Sequence, residues 1–189
     1  PKISTMFDGP FGDSSQFPTY LISKFAKEHV TVALSGDGGD ELFGGYSRYF
    51  RIRNLYPYIN RIPRNSVYFL DIIKSLKNKI NNGESFSYLN KLKRLIICDS
   101  PINFYDEYMK FFCGNSIMNP ELNKSFSNNR RIDNLINSKN IIDLAMYSDT
   151  INYLPDDILT KVDRMAMRSS LETRIPLIDH NIIEFCWSL

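Results

Sequence analysis

A short apolar run at residues 30–34, with sequence VTVAL, is followed at once by a segment of glycines and acids at residues 35–41. The run is rich in β-branched residues and nearly continuous in its apolar character, which predicts a buried parallel strand. Apolar residues recur at helical spacing before it, at residues 18–28, and again after it, at residues 42–50. The order of helix, strand, loop and helix is the unit from which doubly wound α/β sheets are built.

The remainder of the chain predicts helices rather than strands. Residues 54–138 combine apolar and aromatic residues with proline and glycine breakers, which predicts several short helices. Residues 119–137 are rich in Asn and Ser, and we expect an exposed loop there. A helical pattern returns at Ile141 and is interrupted at Pro155, after which a new helix should run to about residue 170. The chain is therefore predicted to be predominantly α-helical, with one short parallel strand near Val30–Leu34.

Composition excludes several classes of partner. Lys and Arg number 23 against 21 Asp and Glu, so the chain lacks the basic field that non-specific nucleic-acid binding requires. Its three cysteines have neither zinc-site spacing nor the density of a disulfide framework, which indicates a reducing cytoplasm. No apolar run approaches the roughly 18 residues that span a bilayer. We expect a soluble cytoplasmic protein that binds neither nucleic acid nor a membrane.

The segment at residues 35–41 lies where open α/β sheets bind their ligands, at the end of a parallel strand. It holds one serine, three glycines and three carboxylates: Ser35, Gly36, Asp37, Gly38, Gly39, Asp40 and Glu41. The glycines let the backbone approach a ligand, and the N–H groups that open the next helix attract an anion such as phosphate. Because the carboxylates repel a bare polyphosphate, such a site needs a divalent cation, for which magnesium is the natural choice. The alternative is an ordinary turn with two acids at a helix N-terminus.

A basic stripe is the second candidate for chemistry. Three cations lie three and four residues apart on the expected helix after Pro155 and so share one face: Lys161, Arg164 and Arg168. Such a stripe can neutralise charge that develops on a phosphate during group transfer. The alternative is a solvated face that pairs with Asp157 or Glu172.

Three segments together resemble the asparagine synthase family. They are residues 11–21 (FGDSSQFPTYL), residues 32–46 (VALSGDGGDELFGGY) and, within residues 153–180, the stretches YLPDD, KVDRM and DH. They stand in the family's order at both ends of the chain, whereas residues 54–142 match only as a helical segment of plausible length. The resemblance implies an α/β fold of the adenine nucleotide alpha hydrolase-like, ATP-pyrophosphatase type, in which residues 1–189 are the C-terminal part of the synthetase domain.

The resemblance also implies an activity and roles for residues. Such enzymes use ATP and Mg²⁺ to adenylate the side-chain carboxylate of aspartate, and ammonia from glutamine then displaces AMP to give asparagine. By position, Ser35, Gly36, Gly38 and Gly39 would contact the nucleotide, and Asp37 would match an acidic position that serves acyl-adenylate formation and the incoming ammonia. Asp40 and Glu41 would hold magnesium. Either Lys161 or Arg164 would be the basic residue that stabilises the adenylation transition state.

Two parts of the family pattern do not occur among these residues. There is no N-terminal cysteine nucleophile for glutamine hydrolysis and no Ser-Gly-Gly-x-Asp-Ser pyrophosphate-binding loop. We therefore expect a fragment that lacks the N-terminal glutaminase domain of the same polypeptide and is inactive alone. A homodimer is compatible with this expectation. The alternatives are a related amidotransferase that acts on another carboxylate, in polysaccharide or peptide biosynthesis or in a β-lactam synthetase-like reaction, and a non-catalytic helical module that binds a metal or a partner.

Overall fold

The structure is a computed structural model that describes Phe7 and residues 11–78, 86–112 and 140–189. The chain divides into two compact units, of which the first combines Pro1–Tyr46 with Met146–Leu189 and the second is Ser47–Ala145. The first unit is thus discontinuous in sequence. The loop predicted at residues 119–137 lies outside the described residues.

The described elements are mostly helices, as predicted. In chain order they are α1 (Gln16–Lys27), β1 (Val32–Leu34), α2 (Gly39–Phe43), α3 (Ser47–Asn60), α4 (Ser66–Asn78), α5 (Phe86–Ile97), α6 (Pro101–Phe112), α7 (Ile141–Ser148), a π-helix (Asp149–Leu159), α8 (Thr160–Arg168), β2 (Glu172–Arg174), a 3₁₀ turn (Pro176–Ile178) and α9 (His180–Ser188). Among these helices none is long and apolar enough to cross a membrane.

The predicted strand forms, and it is parallel. β1 pairs with β2 in a two-stranded sheet, in which Val32 lies opposite Glu172 and Leu34 opposite Arg174. The predicted burial is wrong, because Val32 is 46% and Leu34 76% exposed. Alternate strand residues face opposite sides of a sheet. Ala33, between them, borders a cavity inside the unit, and Leu34 also borders this cavity. The side of the sheet that carries Val32 and Leu34 is not covered by the part of the chain that the structure describes.

Helix α1 has the predicted amphipathic pattern but packs through its small side chains. Ser23 is its buried residue, and α1 packs against α8. The Thr19 hydroxyl donates to the Ser15 carbonyl just before α1, and the Ser23 hydroxyl donates to the Thr19 carbonyl, so both hydroxyls are satisfied. The large apolar side chains instead remain exposed, namely Phe17, Leu21, Ile22 and Phe25.

The interruption predicted at Pro155 does not occur. Helix continues without a break from α7 through the π-helix into α8, and Pro155 lies inside the π-helical stretch. A proline has no N–H to donate, and a stretch of π-helix changes the hydrogen-bond pattern around it. The Thr160 hydroxyl donates to the Pro155 carbonyl at 2.9 Å. Asp156 and Asp157 therefore lie within a continuing helix rather than in the first turn of a new one.

The second unit has its own core of helices. Helices α4 and α5, α5 and α6, and α3 with both α5 and α6 pack together. Fully buried side chains from α3 and α6 fill the centre: Tyr49, Ile52, Phe104 and Tyr105. Arg48 Nε donates to the Tyr105 hydroxyl at 2.9 Å, so this buried phenol is satisfied.

Candidate active site

A cavity of about 280 Å³ opens in the first unit. Polar and apolar residues both line it, and the polar ones are Ser15, Thr19, Ser23, Ser35, Asp37, Lys161 and Thr173. The apolar part is formed by residues such as Ile22, Ala33 and Val162. Small-molecule sites combine apolar walls with placed polar groups, and this cavity offers both.

Lys161 is the cation of this cavity. It lies in the first turn of α8 and is 7% exposed. Its Nζ donates to Asp13 Oδ2 at 2.8 Å and to Ser15 Oγ at 2.7 Å. Ser15 in turn donates from its hydroxyl to Asp13 Oδ2 at 2.6 Å. The three side chains form a closed group in which each one contacts the other two.

Local sequence explains why this group forms. Asp13 lies two residues before Ser15, whose backbone N–H donates to Asp13 Oδ1 at 2.7 Å, a side-chain turn typical of Asp and Asn. On α8 the buried side chains of Val162, Met165 and Ala166 seat the helix in the core. Lys161 and Met165 are four residues apart and share a face, so the packing of Met165 also carries Lys161 inward.

The carboxylates around Lys161 have pKa values that move in opposite directions. Burial alone would raise the pKa of Asp13, but the hydrogen bonds from Lys161 and Ser15 outweigh it and hold that pKa below its ordinary value. Asp157 has a raised pKa, because burial and then the negative charge of Asp13 outweigh Lys161 and a hydrogen bond from Tyr153. Lys161 thus lies near two carboxylates, and it is Asp13 whose ionised form the contacts with Lys161 and Ser15 favour.

We expect the Asp13 interaction to make folding stability depend on acid pH. Because the folded pKa of Asp13 is depressed, its contribution is complete above the pKa of the unfolded chain and is lost as the pH falls through the folded value. In Asp13→Asn, the free energy of unfolding should be lower at neutral pH and should fall less on acidification. Urea unfolding of the wild type and of Asp13→Asn at a series of pH values measures this difference. Asp157 is present in both proteins, so its own titration is common to the two curves. Two parallel curves would contradict it.

Two residues of the glycine and acid segment reach the cavity. Ser35 and Asp37 line it, and the Ser35 hydroxyl donates to Asp37 Oδ2. The Ser35 backbone N–H donates to the Arg174 carbonyl at 2.8 Å, which ties the end of β1 to β2. A Cβ at Gly36 would meet nothing within 4 Å, so the backbone there is open to a ligand.

The next two glycines hold the segment against the 3₁₀ turn. Gly38 has a φ of 87°, and a Cβ there would lie 2.9 Å from Ile178 Cγ2. A Cβ at Gly39 would lie 3.2 Å from Leu177 Cδ1. Position 38 therefore requires glycine for two reasons: the backbone is left-handed there, and a side chain would collide with Ile178. These two predicted nucleotide-contacting residues position the loop in this structure, and they are not among the side chains that line the cavity.

The two predicted metal ligands do not join Asp37 at the cavity. Glu41 is 1% exposed, and its Oε1 accepts a hydrogen bond from the Tyr46 hydroxyl at 2.7 Å. Asp40 is exposed, and its carboxylate occupies the space that a side chain at Gly45 would need. Among the described residues no group of three or more His, Cys, Asp or Glu side chains is arranged to hold a metal. Because Glu41 is buried and bonded to Tyr46, its position fits a structural role in holding α2 better than contact with an ion.

The structure separates the two candidate cations. Lys161 lines the cavity, whereas Arg164 is exposed on α8 and is not among the lining residues. Sequence reasoning had left the choice between them open. It missed Asp13 and Ser15 altogether, although both lie in the quoted segment FGDSSQFPTYL just before α1. The available signal was an Asp followed two residues later by Ser at a helix start, which is typical of a capping turn as well as of a site.

Comparison with known proteins agrees with the resemblance. The family model for asparagine synthase matches residues 1–189. "Asparagine synthetase [glutamine-hydrolyzing] 1" of Bacillus subtilis is 33% identical over 97% of the chain. "Putative asparagine synthetase [glutamine-hydrolyzing] 2" of Methanocaldococcus jannaschii is 34% identical over 88% of the chain.

The chain spans 29% of the length of the Bacillus relative and 31% of that of the Methanocaldococcus relative. No solved structure gives a significant match. The family model covers the whole chain, including residues 54–142, which sequence motifs alone had not matched. The chain therefore belongs to the asparagine synthase family.

Proposed function

We propose that this chain supplies part of the active site of a glutamine-hydrolysing asparagine synthase, an ATP-dependent carbon–nitrogen ligase. The enzyme would adenylate the side-chain carboxylate of aspartate and transfer glutamine-derived ammonia to it, giving asparagine, AMP and pyrophosphate. The observation that carries the proposal is that Lys161 and the Ser35–Asp37 pair line one cavity. A cation and an acid at one cavity match the two half-reactions. The first builds negative charge on the phosphate oxygens, and the second releases a proton from nitrogen.

The first half-reaction is adenylation. A carboxylate oxygen of aspartate attacks the α-phosphorus, the bond to the β-phosphate oxygen breaks, and pyrophosphate leaves. Negative charge grows on the phosphate oxygens, and a buried lysine stabilises such charge more than an exposed one. Lys161 has this position, and we assign it rather than Arg164 to that role. Ser35 and the open backbone at Gly36 would contact the nucleotide, and we extend that assignment to the backbone at Gly38 and Gly39.

The second half-reaction is amide formation. Ammonia attacks the acyl carbon of the adenylate, and the bond from this carbon to the phosphate oxygen breaks as AMP leaves. The nitrogen must lose a proton on the way to the neutral amide, and a carboxylate at the cavity can accept it. We assign this proton transfer to Asp37, whose Oδ2 is already a hydrogen-bond acceptor for Ser35.

Magnesium is proposed from the charges at the cavity. Lys161 pairs with Asp13, and Asp37 lines the same cavity as Lys161, so a polyphosphate would meet excess negative charge there. A divalent cation held at this cavity would offset this repulsion. The Asp37 carboxylate fits such a contact, and Asp40 stays a prediction as a ligand. Glu41, predicted with it, fits less well because its carboxylate is buried against Tyr46.

The activity as a whole would need the remaining length of polypeptide found in the relatives. We propose that this remainder provides the glutaminase domain and the pyrophosphate-binding loop. The uncovered side of β1 and the exposed apolar side chains of α1 support this, since parallel strands are normally covered on both faces. On this proposal the 189-residue chain alone has no synthetase activity. The cytoplasm and a homodimer remain predictions from the sequence.

The proposal is tested by exchange of labelled pyrophosphate into ATP, catalysed by the full-length protein in the presence of one carboxylate at a time. Exchange should depend on aspartate and magnesium and should be absent with glutamate, a uronic acid or a peptide carboxylate. Exchange with one of those acids instead would assign the site to a related amidotransferase. No exchange with any carboxylate, from a protein that still hydrolyses glutamine, would contradict adenylation at this site.

A further inference from the structure

We infer that Asp13 is a positioning residue, which acts with Ser15 to hold the Lys161 ammonium where the phosphates of a nucleotide would bind. This inference rests on the proposed function. It concerns a residue that lies outside the glycine and acid segment and belongs to the turn before α1.

The geometry of Lys161 favours positioning over a purely structural ion pair. A lysine ammonium has three N–H donors. Two of them are used, by Asp13 Oδ2 at 2.8 Å and Ser15 Oγ at 2.7 Å. Among the described residues no third hydrogen-bond acceptor contacts this nitrogen, and Lys161 is one of the residues that line the cavity. One donor therefore remains for a ligand, and its direction is fixed by the other two.

The free-energy cost of burying the Lys161–Asp13 pair also favours a positioning role. A buried ion pair contributes little net stability, because the loss of hydration offsets the attraction, and an apolar pair of similar volume often serves as well. Lys161 has Val162, Met165 and Ala166 beside it as buried residues of α8, so an apolar residue would suit its place. A flexible lysine loses rotamer freedom when it is held, and holding it before the ligand arrives removes this cost from binding.

The test is a double-mutant cycle on the full-length protein. Binding of Mg-ATP and of adenosine is measured by calorimetry for the wild type, Asp13→Ala, Lys161→Met and the double variant. We expect each single variant to weaken Mg-ATP binding by about 10- to 100-fold, the range for a hydrogen bond to a charged group. Adenosine, which has no phosphate, should bind all four proteins equally. If Asp13 acts through Lys161, Asp13→Ala should have no further effect in the Lys161→Met background.

The outcomes separate this inference from the proposed function. A wild type that binds Mg-ATP while the two substitutions weaken binding additively, or while Asp13→Ala leaves it unchanged, would overturn the inference alone. A wild type that binds no nucleotide would overturn the proposed function and with it this inference. Equal weakening of Mg-ATP and adenosine binding would show general damage to the cavity, which also counts against positioning.

Two further variants guard against misfolding. Asp13→Asn keeps an oxygen that can accept from Lys161 but removes the charge, so its Mg-ATP affinity should lie between those of the wild type and Asp13→Ala. Asp71→Asn is the matched control, because Asp71 also pairs with a lysine, Lys93 at 2.7 Å, but does so at an exposed position of the second unit. It should bind Mg-ATP like the wild type. A loss there as large as in Asp13→Asn would contradict the inference.

Discussion

Replacing Lys161 by methionine in the full-length protein is expected to lower the rate of aspartate adenylation by about 100- to 1,000-fold, the range for removal of one preorganised donor to a developing charge. Methionine keeps much of the length and apolar character of the side chain but removes the ammonium. Arg164→Met is the matched control on the same helix and should change the rate only slightly, since Arg164 is exposed and lies outside the cavity lining. Pyrophosphate release under saturating ATP measures both.

Two results would contradict this expectation. Equal losses in Lys161→Met and Arg164→Met would mean that the whole basic face, rather than the buried cation, serves the reaction. Full activity in Lys161→Met would remove Lys161 from the mechanism. Because Lys161→Met leaves the Asp13 carboxylate without its cation, folding is checked by circular dichroism and thermal unfolding before rates are compared.

Replacing Asp37 by asparagine should strongly lower the rate of asparagine formation while leaving glutamine hydrolysis intact. The change preserves size, and the amide oxygen can still accept from Ser35, but the group can no longer take a proton from nitrogen. General-base catalysis contributes about 100- to 10,000-fold, so we expect a loss of synthesis in that range. Glutamate release and asparagine release, measured in the same reaction, separate the two activities.

Asp163→Asn provides the control for this experiment. Asp163 is an exposed carboxylate on α8 and does not line the cavity, so its loss should affect neither activity. If Asp37→Asn makes asparagine at the wild-type rate, Asp37 is not the acid of this site. If it loses glutamine hydrolysis as well, the substitution has damaged more than the acceptor chemistry.

Sequence predicted the fold best where one local pattern dominated. The apolar run VTVAL predicted β1, helical spacing predicted α1, and apolar and aromatic residues between proline and glycine breakers predicted the short helices of the second unit. β2 was missed, because Glu-Thr-Arg carries no apolar alternation and forms a strand only through its pairing with β1. The break expected at Pro155 was wrong. It rested on the low intrinsic helix preference of proline, but Pro155 lies inside a π-helical stretch of a continuous helix.

The candidate site, like the fold, was predicted only where a local pattern marked its residues. Asp37 and Lys161 were selected for their chemistry and motif positions, and both line the cavity. Asp13 could not be selected in this way, because its contact with Lys161 joins residues 148 positions apart, and no local pattern reports such a pairing. Glu41 is the opposite case, a residue that the sequence selected and the fold removes from the cavity. Its motif position suggested a metal ligand, but burial against Tyr46 is a property of the folded chain alone.

The discontinuity of the first unit bears on how freely this family can vary in length. Asp13 and Lys161 belong to one unit, and the whole of Ser47–Ala145 lies between them in the chain. The entropy cost of closing a loop grows only with the logarithm of its length, at about 0.6 kcal/mol for each doubling. Insertions or deletions in the intervening unit would therefore cost the Asp13–Lys161 pair little. Evolution could lengthen or replace that unit, and with it whatever it recognises, while the chemistry stays in place.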